Sequence, residues 1–72
     1  MRPQKHSLTL RGHRTSVSLE EAFWKAFLHI AKSEGQTING LAAQIDEDRG
    51  TDMGLASAIR LYVLHWYQTR AG

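Results

Sequence analysis

The sequence predicts a mostly α domain, with one short N-terminal strand followed by three helices. Three observations predict it. From Arg14 to Leu19 polar and less polar residues alternate, the period of a half-buried strand. From Glu20 onward the apolar residues recur at helical spacing. Gly35 and Gly50 then divide the remainder into three periodic segments.

Residues 1–6 show no period. Leu8 and Leu10 fall on even positions, whereas Thr15, Val17 and Leu19 fall on odd ones, so the phase flips near Arg11-Gly12. Two readings follow. A two-residue turn there pairs Leu10 with His13 and Leu8 with Thr15, placing the apolar side chains on one face. Alternatively, residues 13–19 pair with the same strand of a second chain, and residues 1–12 form a basic arm, flexible or briefly extended. The second reading sets the expected organisation: an arm over residues 1–12 and a folded domain over 13–72. No internal repeat and no low-complexity tract stands out.

Ser18 and Glu21 have the spacing of a capping box for the first helix, and Glu20 and Glu21 suit its positive end. Phe23, Phe27, Ile30 and Ala31 form its apolar stripe, widened by Trp24 and Leu28, and Gly35 suits its stop. Thr37 is a good N-cap for the second helix, where Ile38, Leu41, Ala42 and Ile45 share one face. The run DEDRG ends that helix, and its three acids oppose the dipole, so fraying is expected there. The third helix is expected from about Met53 or Leu55 to about Gln68, capped by Thr51 or Asp52. Leu55, Ala58, Ile59, Tyr62, Val63 and Trp66 form one stripe, and Leu61 and Leu64 add apolar surface elsewhere. Two short partner helices cannot cover so much apolar circumference, which argues for a homodimer. Its expected core is Val17, Leu19, Phe23, Phe27, Ile38, Leu41, Ile45, Ile59, Tyr62 and Val63.

Length points the same way. A 72-residue chain is one small domain that buries only about 60% of its unfolded surface. With no cysteine, neither disulfides nor thiolate metal sites reinforce it. No apolar run approaches the roughly 18 residues of a membrane span, and no apolar signal segment follows the basic start. A cytoplasmic protein without membrane contact is expected. The net charge of +2 is unevenly placed. Residues 1–16 hold Arg2, Lys5, Arg11 and Arg14, with His6 and His13 and no acid. The rest carries five basic against seven acidic side chains, a net charge of −2. A basic arm on a weakly acidic body is the charge layout of a nucleic-acid surface; a solvated tail would look the same.

If the strand pairs with its twin, the two-stranded ribbon turns Arg14, Ser16 and Ser18 outward. Such a ribbon fits the major groove of double-stranded DNA, where Arg bonds guanine O6 and N7 and Ser bonds several bases. The stretch RTSVSLEEAFWKAFLHIAKSEGQTINGLAAQI, residues 14–45, resembles a ribbon-helix-helix protein of the Arc and methionine repressor kind. The match is an alternating strand, a helix, the turn Gly35-Gln36-Thr37 and a second helix, over somewhat under half the chain. The continuation GLASAIRLYVLHWY is similar to a small bacterial branch of that superfamily, of unassigned role. The resemblance implies base contacts from Arg14, Ser16 and Ser18. It implies phosphate contact at the start of the second helix, at Gln36, Thr37, Ile38 and Asn39. Family ribbons often carry longer polar side chains than these two serines. Lys5, Arg11 and His13 of the arm are therefore expected to add contacts, chiefly to phosphate. The implied role is transcription regulation.

Other chemistries find little support. The four histidines, His6, His13, His29 and His65, lack zinc-ligand spacing, so no metal and no cofactor is expected. No nucleophile motif frames a serine, and an enzyme is not expected. DEDRG lacks the ligand order of a calcium loop. Trp24, Phe27, Tyr62 and Trp66 read as core or interface, because the strand face carries no aromatic for base stacking. The alternative function is a dimeric interaction module of the same fold, antitoxin-like, binding a protein partner through the third helix or the acidic DEDRG surface.

Overall fold

The structure, a computed structural model, describes residues 2–71, with the side chain of residue 71 left aside. Two strands lead the chain: β1 (Gln4–Leu10) and β2 (His13–Leu19). They form an antiparallel two-stranded sheet in which Leu10 opposes His13, Leu8 opposes Thr15, and Gln4 opposes Leu19. The turn between them is Arg11-Gly12, with φ of 53° and 83°. Both values are left-handed, as a type I′ turn requires, and that turn matches the twist of a hairpin. Gly12 adopts this conformation without a steric penalty; Arg11 does so at some cost.

The hairpin follows the first of the two readings. Residues 4–10 are extended, as a short strand, and β2 pairs with β1 of its own chain. Burial explains why: Leu8 is 2% exposed and sits in the core beside Val17 and Leu19. His6 also anchors β1, since its ring stacks on Trp24 with centroids 4.0 Å apart and planes 8° from parallel. Its Nε2 lies 3.1 Å from Glu21 Oε1. An arm packed outside the domain would bury none of these groups.

Three helices follow: α1 (Glu21–Ser33), α2 (Ile38–Asp48) and α3 (Leu55–Ala71). The expected capping box at α1 is not formed. Glu20 occupies the N-cap without a side-chain cap bond, because Ser18 is held in the strand. The α1 C-terminus closes as a Schellman motif around Gly35, at φ 68°. Gly35 N–H donates to Lys32 C=O, and Gln36 N–H donates to Ala31 C=O. Thr37 caps α2 as expected: its hydroxyl oxygen accepts from Gly40 N–H at 3.0 Å. A Cβ on residue 40 would stand 2.9 Å from that oxygen, so glycine keeps room for the cap.

The acidic run ends α2 as expected: the helix stops at Asp48, with Arg49 as its C-cap. Two arginines compensate the acids. Arg49 Nε donates to Asp46 at 2.7 Å, and its guanidinium also reaches Met53 C=O. Arg11 pairs with Glu47. Neither Thr51 nor Asp52 caps α3. Its first helical bond runs from Ala58 N–H to Gly54 C=O, so the helix starts after the glycine.

Phe27, Ile30, Ala31, Leu41, Ala42, Ile45, Ala58, Ile59 and Val63 complete the core with the three strand residues. Most of the residues expected at a dimer core are therefore buried within one chain. Phe23, Ile38 and Tyr62 are half-buried against it. Thr15 faces the helix side of the sheet, opposite the buried Leu8, but is itself exposed. Among the described residues no helix is long and apolar enough to cross a membrane.

Leu8→Ala should lower unfolding free energy by about 2–5 kcal/mol in urea titrations, the range for a buried leucine. An unchanged midpoint would mean that β1 contributes nothing to the fold.

Candidate nucleic-acid interface

The face of the hairpin turned away from the helices is set by alternation. Lys5, Ser7 and Thr9 of β1 share it with Arg14, Ser16 and Ser18 of β2, and all six are exposed. Lys5 stands opposite Ser18, Ser7 opposite Ser16, and Thr9 opposite Arg14. The sequence reading placed Arg14, Ser16 and Ser18 on this face, and the structure puts them there. It missed Ser7 and Thr9, and it treated Lys5 as part of an arm.

This face carries cations and no acid; Lys25 and Lys32 on α1 are likewise exposed and outside the ion pairs. Arg11, Arg49, Arg60 and Arg70 each hold a carboxylate, on Glu47, Asp46, Glu20 and Glu34 respectively. Neither Lys5 nor Arg14 is in an ion pair among the described residues. No acidic side chain lies on either strand. The ribbon thus presents two uncompensated cations among four hydroxyls, a surface of hydrogen-bond donors suited to an anionic ligand with acceptor edges.

The backbone phase of the ladder fixes the sheet edges. In a two-residue hairpin the closing pair, Leu10 and His13, exchanges hydrogen bonds, and alternate pairs beyond it do not. Thr9, Arg14, Ser16 and Ser18 therefore turn their N–H and C=O groups to the outer edges. Two contacts agree with this phase. Thr9 N–H donates to Asn39 Oδ1 at 3.0 Å, and Ser18 C=O faces Arg60 at 3.5 Å.

The Asn39 contact ties the start of α2 to the outer edge of β1. Gln36, Thr37 and Asn39 are exposed around that helix start, and Ile38 is half-buried. Thr37 already satisfies Gly40 N–H, which leaves the Ile38 and Asn39 N–H groups at the positive end of the helix dipole. Of the other expected phosphate ligands, Lys5 is on the ribbon face, His13 is exposed beside the turn, and Arg11 is bound to Glu47. Arg11 and Glu47 are both well exposed, at 60% and 59%, so water screens that pair.

Arg60 holds the base of the ribbon. Its Nε and Nη2 donate to the two Glu20 carboxylate oxygens at 2.9 and 3.1 Å, and the guanidinium lies over Phe23. The clamp joins α3 to the junction of β2 and α1. The Arg60 hydrogen bond is the main cause that lowers the Glu20 pKa below its ordinary 4.5. At the far end of α3, Trp66 Nε1 and Arg70 both donate to Glu34 Oε2 at 3.1 Å. Arg70 also stacks on the Trp66 ring at 4.1 Å. Trp24 and Trp66 are accordingly packing residues on the helices.

Two depressions adjoin these elements. One, of about 390 Å³, lies under the turn end of the ribbon between His13, Thr15 and the Ala43–Glu47 side of α2. The other, of about 310 Å³, runs between the end of α2 and α3, along Ile45, Met53, Leu61, Tyr62 and His65. Among the described residues no three His, Asp or Glu side chains gather as metal ligands.

A lowered carboxyl pKa stabilises the fold fully above 4.5, and that stability is lost as pH falls through the lowered value. Arg60→Met should therefore reduce stability at neutral pH and flatten its decline on acidification. Thermal melts across an acid series measure both effects; an unaltered acid limb would remove the clamp from the account.

Comparison with known proteins agrees with this geometry. Residues 3–67 match the model of a ribbon-helix-helix domain. Neither the comparison with curated proteins nor that with solved structures yields a match.

Proposed function

Because the chain belongs to the ribbon-helix-helix domain family, whose members usually bind DNA, we propose that it is a homodimeric transcriptional regulator of the bacterial cytoplasm that inserts its β-ribbon into the major groove of double-stranded DNA. The observation that carries this reading is the uncompensated ribbon face. Every arginine from Arg49 onward is committed to a carboxylate, while Arg14 and Lys5 are left for a ligand. A two-stranded ribbon fits the major groove, where Arg14 would bond guanine O6 and N7 and the serine hydroxyls would bond neighbouring base edges. The start of α2, held beside the ribbon by Asn39, suits a flanking phosphate.

The ribbon needs no second chain for its ladder, so the proposed dimer rests on other surface. Leu61 and Leu64 lie on the side of α3 away from Ile59 and Val63 and are 44% and 49% exposed, with Tyr67 beside them at 42%. Pairing of two such faces would bury apolar area that one small domain leaves in water.

The acidic surface of the partner-binding alternative is partly engaged within the chain. Asp46 and Glu47 of the acidic run are already paired with Arg49 and Arg11, which leaves Asp48 to carry the charge. The groove beside Leu61 and His65 keeps a protein partner as the second reading.

Binding should be strongly salt-dependent, since phosphate contacts release counterions. In gel-shift titrations with fragments of the host gene's promoter region, Arg14→Ala should weaken binding by about 1–3 kcal/mol and leave the folded mass in solution unchanged. Absence of binding by the unaltered protein at low salt would refute the regulator reading.

A further inference from the structure

The two strands of the hairpin are near-copies of each other. Aligned nine residues apart, QKHSLTL and HRTSVSL match in chemistry at five of seven positions: Lys5 with Arg14, Ser7 with Ser16, Leu8 with Val17, Thr9 with Ser18, and Leu10 with Leu19. Amphipathic alternation explains why both strands place apolar residues on one face. It does not explain why the outward positions run cation, serine, hydroxyl in the same order on both.

The register converts this likeness into symmetry. Ser7 pairs directly with Ser16, and the ladder extends three pairs to either side. A two-fold axis through the Ser7–Ser16 pair, perpendicular to the sheet, exchanges the strands. It carries Lys5 onto Arg14 and Thr9 onto Ser18. The cations therefore stand at opposite ends of the face on different strands, four residue steps or about 13 Å apart along the ribbon. β1 holds its residues as firmly as β2 does, because Leu8 is buried, His6 stacks on Trp24 and Thr9 is bonded to Asn39. Lys5 is thus a fixed ribbon position, not a mobile charge.

We infer that one chain alone reads a short inverted-repeat DNA element, with Lys5, Ser7 and Thr9 as base-contacting residues equivalent to Arg14, Ser16 and Ser18. This rests on the DNA-binding reading above. An antiparallel ribbon with its own two-fold meets duplex DNA along the duplex's own local two-fold, so equivalent side chains meet equivalent base edges on opposite strands. Lys and Arg both donate to guanine O6 and N7, which makes guanine the expected base at both outer positions. A dimer would carry two complete ribbons and cover two such elements.

Selection from a duplex library with a randomised central segment tests the inference, using the full chain and its Lys5→Ala and Arg14→Ala variants. The unaltered protein should enrich an approximate inverted repeat. Each variant should lose base preference in one half of that element only, and each should bind the parent sequence about ten- to a hundredfold more weakly. The one-sided loss is the signature, because a ribbon built from two identical chains would lose both halves together. Lys5→Arg should bring the two halves closer to identity. The inference is overturned if Lys5→Ala weakens all duplexes alike and leaves the selected sequence intact, since Lys5 is then a phosphate contact. It is also overturned if both halves vanish in either variant. Retention of no duplex by the unaltered protein would remove the DNA-binding reading itself.

Discussion

The fold depends on a single local constraint: Arg11 and Gly12 both adopt left-handed backbone conformations, so the chain reverses in two residues. That reversal fixes the register of fourteen strand residues. With Leu10 opposite His13, every apolar strand residue falls on the helix side and every ribbon cation on the other. A slip of one residue would turn one strand over against the other, putting Leu8 in water or Arg14 in the core. The sequence supports the turn only weakly, since arginine is a poor choice for a left-handed position. Burial of Leu8 and Val17 holds it from above, and the Arg11–Glu47 pair from the side.

A division of labour among charges runs through the rest of the molecule. Arg60, Arg70 and Arg49 each join two segments that packing alone brings together: the β2–α1 junction with α3, the end of α1 with α3, and the end of α2 with its following loop. These pairs are partly shielded and hold geometry. Lys5 and Arg14 join nothing. The ion-paired arginines and the two ribbon cations thus stand on different parts of the fold, and the proposed function rests on that separation.

Much of this was legible in the residues. Alternation over 14–19, the Gly35 stop and the Thr37 cap each depend on contacts within a few residues, and each is found in the structure. The hairpin register was legible as one of two readings from the phase flip at Arg11-Gly12. Choosing between them required knowing that Leu8 reaches the core, which is a tertiary fact. Ser18 shows the reverse failure: its capping-box spacing is real, but the ladder claims the residue first. DEDRG does end α2, at Asp48, but its pairing with Arg11, more than thirty residues away in sequence, was not legible there. Ser7 and Thr9 were not legible because the likeness of the two strands at a spacing of nine is short enough to pass for ordinary amphipathic alternation.

Whether the ribbon is complete within one polypeptide can be measured directly. In a non-hydrogen-bonded antiparallel pair the two Hα atoms approach closely, so Ser7 and Ser16 should give a strong Hα–Hα nuclear Overhauser effect. In a sample mixing isotope-labelled and unlabelled protein, that effect should appear only within a chain. Its appearance between labelled and unlabelled chains would show a ladder shared by two molecules and contradict the single-chain ribbon.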